Sequence, residues 1–430
     1  MDSMQCRIIS IGDELLIGDT TNTNARWMGQ VLTEAGVEVR HIATVKDDLD
    51  VIKREITDSL STADLVLTTG GLGPTHDDIT KQAVAEVFDT RLIVHEPTLD
   101  FVKSTLQKRN IPFSESNYKQ AEVPACSQVL FNSRGTAPGM WIEKDGTRLV
   151  VLPGVPAEMK HLMREKVLPK IRKQMDRGEV RKSRYLLTSG IGESTLSDEV
   201  IGDVGPLLDE DLTLAYLPSP WGTRLRVSSS ASSQEQWLKK TTPLIDHIYS
   251  RADKLIVGEG KNLSLAQVVG DKLRERKLTI SAAESCTGGA ITNAITDTPG
   301  SSAYFTGGVI AYANRIKQQL GVPQASLDTH GAVNKAVALQ MARGVAQKLN
   351  TDIGISTTGI AGPGGGSPEK PVGTVWVGFW SPEQHFALKA TLTKVRLRNK
   401  KRTTAIALEV VRRVLINFPR MPYNLKKQRP

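Results

Sequence analysis

Apolar, β-branched runs alternate with segments of helical hydrophobic spacing through the first 175 residues of the chain. Residues 6–11 predict a buried strand that ends at Gly12, and apolar residues from Ala25 to Ala35 recur every three to four positions. The same reasoning predicts strands at 37–43 and 64–69 and a helix over 48–62. This β-α-β-α-β order predicts an α/β domain with a doubly wound, mostly parallel sheet, whose ligands bind where the strands end.

The pattern changes after residue 177 and resumes later. Residues 212–215 and 225–228 flank a Pro/Gly turn like the arms of a hairpin, and a helix is predicted from about 234 to 250. Further α/β character follows, with strands predicted at 278–282, 352–358 and 373–380. We therefore expect an α/β domain over 1–177, a small α+β domain over 178–258 and a second α/β domain over 262–425.

Composition narrows the class of protein. The 430 residues are 39% hydrophobic and 23% charged, as in ordinary globular proteins. The first residues lack the pattern of a secretory signal, and no apolar run approaches the roughly 18 residues of a membrane span. Three scattered cysteines argue against a disulfide framework. We expect a cytoplasmic protein with no membrane partner.

Positive charge is concentrated at the end of the chain. From Lys394 onward there are twelve Lys or Arg residues and one acid, Glu409, whereas the formal net charge of the whole chain is +9. One interpretation is the solvated face of a last helix with a basic tail. The other is a phosphate site at Arg398 and Arg402, four residues apart on one helical face. Nucleic acid is disfavoured, since aromatics are 5% of residues and no recognition motif is present.

The first Gly-rich loop follows the strand predicted at 64–69. Gly70, Gly71 and Gly73 would let the backbone approach a ligand closely, because glycine has no side chain to intervene. A position at the carboxyl end of a parallel strand is where α/β proteins bind phosphate groups. The loop is therefore a candidate substrate-binding loop.

Acidic residues follow three strands of the same predicted sheet. Glu14, Asp47 and Asp78 would meet at one edge, where carboxylates can hold a divalent metal on a pyrophosphate. The alternative is that these acids cap helices or lie in their first turns, and we favour that role for Asp48. The sequence predicts a metal site but does not identify the metal.

Four segments carry a family resemblance. They resemble the molybdopterin-binding domain, in the version found in the CinA (competence/damage-inducible protein A) family. The segments are residues 70–80, 11–18, 132–139 and 152–159. The resemblance implies a nucleotide-type ligand and a divalent-metal-dependent ADP-ribose pyrophosphatase activity. It also places Asp47 and Asp78 where related cofactor-biosynthesis proteins have functional carboxylates.

A second Gly-rich loop carries a candidate nucleophile. Ser285 lies between a predicted strand and a predicted helix, whose first N–H groups, from Cys286 onward, would stabilise an anion. Cys286 is a rival nucleophile, because a helix N-terminus lowers a thiol pKa. Spacing alone hardly distinguishes Ser285 from Cys286 as the nucleophile. Glu284 would order this loop or lie on the surface.

A serine nucleophile needs a base. Lys317, in the segment Tyr312-x-Asn314-x-x-Lys317, could serve if desolvation lowers its pKa, and His330 is the histidine candidate. A third loop at 359–366 is rich in glycine, including Gly362, Gly364 and Gly365. It would wrap a phosphate or ring, or else form a flexible hairpin loop.

Residues 283–289 and 359–365 resemble the CinA C-terminal domain, whose stand-alone relatives are nicotinamide-nucleotide amidohydrolases. The resemblance implies hydrolysis of the carboxamide of nicotinamide mononucleotide without a metal or other cofactor. Ser285 would be the nucleophile, Lys317 the base and Tyr312 an assisting group. The remaining substrate contacts would come from the Gly362–Gly366 loop and from Cys286, Thr287, Gly288, Gly289, Asn314, Arg398 and Arg402.

The middle domain resembles the KH-like insert of the same family. Its loop Gly190-Ile191-Gly192-Glu193 carries an acid where a nucleic-acid-clamping loop favours basic or neutral residues, which predicts a structural role.

Two functions are consistent with the whole sequence. One is a pyridine-nucleotide salvage enzyme, expected as a homodimer, and the other is a regulatory protein of competence or DNA repair with one or both sites inactive. A molybdopterin-related role ranks below both.

Overall fold

The structure is a computed structural model that describes residues 4–75, 78–108, 110–174 and 180–429. The chain divides into two compact units. The first contains the residues up to Lys182 and Ser230–Trp237, and the second contains Ser183–Ser229 and the chain from Leu238 to the end. None of the described helices combines the length and apolar character that a membrane crossing requires.

Eight strands lie entirely within the described part of the first unit. They are β1 (Gln5–Ile11), β2 (Glu38–Val45), β3 (Leu65–Thr69), β4 (Leu92–Val94), β5 (Glu122–Pro124), β6 (Gln128–Leu130), β7 (Gly139–Lys144) and β8 (Thr147–Leu152). Six form a sheet in the order β2-β1-β3-β8-β7-β6, in which β2, β1, β3 and β8 are parallel. β7 is antiparallel to β8 because Asp145 and Gly146, with φ of 51° and 82°, form a two-residue hairpin turn.

Helices cover both faces of this sheet. They are α1 (Asp13–Leu16), α2 (Thr23–Glu34), α3 (Leu49–Leu60), α4 (Thr80–Val87), α5 (Glu96–Lys108), α6 (Glu115–Gln120), α7 (Pro156–Leu162) and α8 (Leu168–Gln174). One core packs α2, α7 and α8 on the sheet, and the other packs α3 and α4. Asp48 caps α3 by accepting a hydrogen bond from the Val51 amide. The predicted doubly wound fold is confirmed.

The middle segment forms a four-stranded sheet. Its elements are β9 (Val180–Thr188), β10 (Thr213–Ser219), β11 (Gly222–Ala231), α9 (Gln234–Ala252) and β12 (Ile256–Glu259). The strand order is β10-β11-β9-β12, and the β10–β11 pair is the predicted hairpin. Apolar residues of α9 pack on this sheet and give the segment its own core.

The last segment contains a five-stranded sheet. Its strands are β13 (Ile280–Glu284), β14 (Phe305–Ile310), β15 (Ile353–Gly359), β16 (Thr374–Trp380) and β17 (His385–Thr391). Its helices are α10 (Leu265–Arg276), α11 (Ala290–Thr296), α12 (Asn314–Gln319), α13 (Gln324–His330), α14 (Lys335–Leu349) and α15 (Arg396–Leu415). The order is β14-β13-β15-β16-β17, with β14, β13 and β15 parallel. Helices α10, α11 and α15 pack on one face, and α14 packs on the other.

The two α/β sheets share a feature that positions the candidate sites. In each, the first strand lies between the second and third, so the chain leaves it toward opposite edges. Such a switch point opens a crevice at the carboxyl ends of the strands, where ligands bind. The loops after β1 and β3 border this crevice in the first unit. The loops after β13 and β15 border it in the second.

Candidate functional site

Ser285 directly follows β13 and is 9% exposed. Its amide donates to the Thr357 carbonyl of β15 at 2.9 Å, and the Thr287 and Thr357 hydroxyls lie 2.6 Å apart. The helix expected immediately after Ser285 begins later, at Ala290. Gly288 and Gly289, with φ of 58° and 93°, turn the chain before it. The nucleophile candidate is therefore held at the crevice by the neighbouring strand.

Glu284 holds this turn in place through hydrogen bonds of its carboxylate. Its carboxylate is fully buried and accepts hydrogen bonds from the amides of Gly289, Ile291 and Thr292, at 2.9, 3.1 and 2.8 Å. The Thr292 hydroxyl also donates to it, at 2.8 Å. The Glu284 carboxylate accepts no hydrogen bond from the amides of residues 286–288, which are the amides predicted to stabilise an anion. Glu284 therefore orders the loop, and the surface alternative is wrong.

Lys317 is 1% exposed, and its amine meets the turn that follows β14. The Nζ atom donates to the carbonyls of Ala311 and Tyr312, at 2.8 and 2.9 Å. Burial lowers the Lys317 pKa, and the group lies close enough to Cys286 to interact with it electrostatically. Lys317 is thus a desolvated amine that interacts with Cys286, the residue after Ser285.

Cys286 is 6% exposed, and burial raises the pKa of its thiol to about 12. The expectation of a lowered thiol pKa is therefore wrong, because desolvation outweighs the electrostatic effect of Lys317. A thiol with this pKa is almost entirely protonated at neutral pH. Burial therefore removes the electrostatic reason for expecting an activated thiolate at Cys286.

The exposed side chain of Tyr312 meets the start of α15. Arg396 donates through Nη2 to the Tyr312 hydroxyl oxygen at 3.3 Å and through Nη1 to the Gly362 carbonyl at 2.9 Å. The Lys400 Nζ atom lies 3.4 Å from the position that a β-carbon on Gly288 would occupy. Arg396 and Lys400, four residues apart, therefore bring positive charge to the Gly-rich loop and the Ser285 turn.

Arg398 and Arg402, the predicted phosphate ligands, lie elsewhere. They line a groove against the β10–β11 hairpin, where Arg402 donates to the Pro220 carbonyl at 3.2 Å. A spacing of four residues correctly predicts that two basic residues share a helical face. Arg396 and Lys400 have the same spacing as Arg398 and Arg402, so spacing alone does not identify the pair that approaches the Ser285 loop. The structure does not place Arg398 and Arg402 with the contacts described for the Ser285 loop.

The other predicted contacts differ in exposure. Asn314 begins α12, four residues after the end of β14, and is exposed. Gly364 and Gly365 are exposed in the loop between β15 and β16, while Gly362 is buried with φ of 92°. Asn399 of α15 holds this loop by donating to the Ala361 carbonyl at 3.0 Å. The loop is anchored at its beginning and open at its centre.

In the first unit, the Gly70–Gly73 loop is closed by Asp78. The Asp78 carboxylate accepts from the amides of Gly73 and Thr75, at 2.7 and 2.9 Å, and from the Thr75 hydroxyl. Gly70 has φ of 114°, and a β-carbon there would lie 2.1 Å from the Ile11 carbonyl oxygen. Glycine is therefore required at Gly70 for the loop to lie against β1.

Asp47 joins the loops after β1 and β2. The Asp13 amide donates to the Asp47 carboxylate at 3.1 Å, and the Asp47 amide donates to the Asp13 carboxylate at 3.2 Å. The Glu14 carboxylate instead lies against Gly12, 2.6 Å from where a β-carbon would be. These acids order the loops that surround the crevice.

The predicted metal ligands do not form a preformed site. Among the described residues, no three His, Cys, Asp or Glu side chains are grouped so as to hold a metal ion. Glu14, Asp47 and Asp78 are therefore not brought together as a ligand set, and Asp47 and Asp78 instead accept backbone amides of the surrounding loops. His76 and Asp77, within the same motif, lie outside the described residues.

Comparison with known proteins gives three domain matches. The CinA C-terminal domain matches residues 262–415, a molybdopterin-binding domain matches residues 7–173, and the KH domain of damage-inducible protein CinA matches residues 183–258. CinA-like proteins from Salinibacter ruber and Chloroherpeton thalassium are each 44% identical to this chain. The alignments cover 96% of it and 100% and 99% of theirs.

Solved structures match parts of the chain. The crystal structure of CinA from Thermoplasma acidophilum is 34% identical, with a TM-score of 0.36, and the match covers 40% of this chain and 98% of that one. The competence/damage-inducible protein from Agrobacterium tumefaciens is 37% identical, with a TM-score of 0.34. That match covers 35% of this chain and 93% of the other.

Proposed function

The chain belongs to the CinA family, and we propose that its last domain hydrolyses the carboxamide of nicotinamide mononucleotide to the carboxylate and ammonia. The observation that carries the proposal is the placement of Ser285 at a switch-point crevice, together with the desolvated amine of Lys317, which interacts electrostatically with the adjacent Cys286. A serine paired with a neutral lysine is a known means of acyl transfer. The family resemblance supplies the substrate.

The hydrogen bonds of Lys317 suit a general base. A neutral amine has two N–H donors and one lone pair, and the carbonyls of Ala311 and Tyr312 accept the two donors. The remaining lone pair is then free to accept the proton of the Ser285 hydroxyl. Because burial lowers the Lys317 pKa, a larger fraction of the amine is neutral than for an exposed lysine.

In the proposed reaction, the Ser285 oxygen attacks the carboxamide carbon while Lys317 takes its proton. Amides of the 286–288 turn stabilise the oxyanion of the tetrahedral intermediate. The C–N bond then breaks, and Lys317 returns the proton to the leaving ammonia, which leaves an ester on Ser285. Water, activated by Lys317, hydrolyses this ester, releases the acid and restores the serine hydroxyl.

The basic residues at the start of α15 would bind the phosphate. Arg396 is oriented by the Gly362 carbonyl and the Tyr312 hydroxyl, and Lys400 approaches Gly288. A guanidinium and an ammonium on one helical face can together neutralise a phosphate dianion. This arrangement favours a nucleotide over a simple amide as substrate.

For the first unit we propose hydrolysis of the pyrophosphate of ADP-ribose. The proposal is supported by the Gly70–Gly73 loop, whose backbone lies at the crevice, and by the family resemblance. The acids described there do not form a ready metal site, so we derive no step through a metal. Both proposed substrates would be breakdown products of pyridine dinucleotides.

The decisive measurement is ammonia release from nicotinamide mononucleotide by the full chain, with and without EDTA. We expect EDTA-resistant release that falls by at least ~10³-fold in Ser285→Ala, because the nucleophile is lost. Cys286→Ala is the matched control and should retain most activity. Melting curves must show that both variants are folded.

Two results would contradict this assignment. Unchanged release in Ser285→Ala would exclude that residue as the nucleophile. No release from the folded parent chain would favour the alternative, a regulatory protein with an inactive site. Relatives named as competence-damage inducible proteins, 39% identical to this chain, support that alternative.

A further inference from the structure

A groove of about 580 Å³ separates the β10–β11 hairpin from the first turns of α15. Arg398, Lys401 and Arg402 line it from α15, and Pro218–Pro220 lines it from the hairpin. All of its lining residues belong to the second compact unit. Small-molecule sites in proteins have volumes of roughly 300–1,000 Å³, so the groove has the size of a ligand site.

The positive charge in this groove is poorly balanced. Among the described residues, neither Arg398 nor Lys401 takes part in a salt bridge, and Glu193 is the one carboxylate in the lining. Clefts lined by one sign of charge concentrate counter-ions of the opposite sign. The groove therefore favours an anionic ligand.

Arg402 gives the basic wall a fixed shape. It donates to the Pro220 carbonyl at 3.2 Å and to the Tyr423 hydroxyl at 2.5 Å, and its guanidinium lies 4.8 Å from the centre of the Tyr423 ring. These contacts join α15 to the hairpin across the groove. A ligand would thus meet a prearranged wall, and only the exposed Arg398 and Lys401 would need to be ordered.

The other lining residues indicate what the anion carries. Pro218, Pro220 and the exposed Leu397 provide apolar surface beside the basic residues, and Ile191 adds to it. None of the described residues that line the groove is aromatic, although stacking on aromatics is the usual means of binding single-stranded nucleic acid. Glu193 would also repel a continuous chain of phosphates.

We propose that this groove binds a mononucleotide, with its phosphate between Arg398 and Lys401 and its base or sugar against the prolines and Leu397. The site is distinct from the proposed amidohydrolase site. Arg396 and Lys400 contact the Ser285 and Gly362 loops, whereas Arg398 and Lys401 line the groove. A nucleotide could therefore occupy the groove without displacing the amidohydrolase substrate.

The test is isothermal titration calorimetry of the full chain with AMP and, separately, with pyrophosphate. In the double variant Arg398→Ala/Lys401→Ala, we expect one class of sites to lose at least about tenfold in affinity, because two charge-assisted contacts are removed. The double variant Lys239→Ala/Arg276→Ala removes the same charge from exposed positions outside the groove and should bind like the parent.

A second variant tests the groove without removing its basic residues. Glu193 is exposed, and Glu193→Gln should tighten AMP binding by several-fold, because the one acid of the lining is neutralised. Raising the salt concentration should weaken binding in the parent more than in Arg398→Ala/Lys401→Ala. Binding is measured without turnover, so this result does not depend on the proposed enzymatic function.

Two outcomes would overturn the proposal. In one, the parent and Arg398→Ala/Lys401→Ala, both folded, bind AMP with equal affinity and also bind pyrophosphate with equal affinity. The other is tighter binding of a single-stranded oligonucleotide of about 12 nucleotides, more than tenfold over AMP and lost in the same variant. That second result would make the groove a nucleic-acid surface.

Discussion

Glu284 shows how one buried carboxylate can organise the loop that carries the proposed nucleophile. Its two oxygens accept three backbone amides and the Thr292 hydroxyl, so they complete the N-terminus of α11. Anionic side chains stabilise that end of a helix. Support of the turn therefore explains why Glu284 lies next to Ser285, and Glu284 does not need a role in proton transfer.

Lys317 gives the proposed reaction a defined pH dependence. Protonated lysine cannot accept the Ser285 proton, so activity should rise with pH until the amine is neutral. Because burial lowers the Lys317 pKa from its usual 10.5, this rise should lie below that value. The measurement is kcat/KM for nicotinamide mononucleotide against pH.

Lys317→Arg is the variant that checks this origin of the pH profile. Arginine stays protonated throughout, so activity should be lost at every pH. A parent profile in which kcat/KM falls as pH rises through the same range would contradict a neutral lysine base. Retained activity in Lys317→Arg would lead to the same conclusion.

At the scale of elements, α15 supplies two different surfaces from the same turns. Arg396 and Lys400 contact the loops of the proposed amidohydrolase site, while Arg398 and Arg402 line the groove against the hairpin. A helix turns about 100° per residue, so neighbours in sequence point in different directions. The basic character of the segment was predictable, but the surface served by each residue was not.

Arg396→Ala should raise KM for nicotinamide mononucleotide by about tenfold or more, since one charge-assisted contact to the phosphate is lost. The matched control is Arg398→Ala, which removes the same charge two residues away and should leave KM unchanged. Steady-state kinetics of both variants decide the question. A raised KM in Arg398→Ala alone would restore the original assignment of the phosphate ligand.

Most elements of the first α/β sheet follow from periodicity. The helix predicted at 48–62 spans Leu49–Leu60, and the strand predicted at 64–69 spans Leu65–Thr69. Periodicity does not predict the π-helical segment Met163–Val167 between α7 and α8. Its residues keep a helical hydrophobic pattern, and only the backbone hydrogen bonds distinguish it.

Within the second unit, a buried ionic cluster joins α15 to the middle segment. Glu409 accepts from both Arg412 and Arg413, and Arg413 also donates to the carbonyls of Ser189 and Gly190, each at 3.2 Å. The Gly190 loop therefore contacts this chain's own last helix. This contact supports the structural role that was predicted for the loop.

Arg413→Ala should destabilise the second unit by about 3–5 kcal/mol, because Glu409 would lose one of its partners in a fully buried site. Arg343→Ala, on an exposed position of α14, is the control and should change stability little. Urea unfolding followed by circular dichroism gives both values. Equal midpoints for the two variants would show that the cluster contributes little.

The two compact units lead to a prediction about the whole molecule. Asp78→Asn should suppress ADP-ribose cleavage, because an Asn side chain has one acceptor oxygen and cannot accept the amides of both Gly73 and Thr75 as the two carboxylate oxygens do. Ammonia release should persist, since Ser285 and Lys317 lie in the other unit. Loss of both activities in folded Asp78→Asn would show that the sites are coupled.

Sequence alone determined the order of elements, the Gly-rich loops at the ends of strands, the family, and Ser285 and Lys317 as candidates. These features depend on local spacing and on motifs, which a sequence carries directly. Tertiary structure decided that the Cys286 pKa rises, that Arg396 and Lys400 approach the Ser285 loop, and that Asp47 and Asp78 bind backbone amides. Each of these depends on burial or on distances between residues remote in sequence, and hydrophobic periodicity records neither.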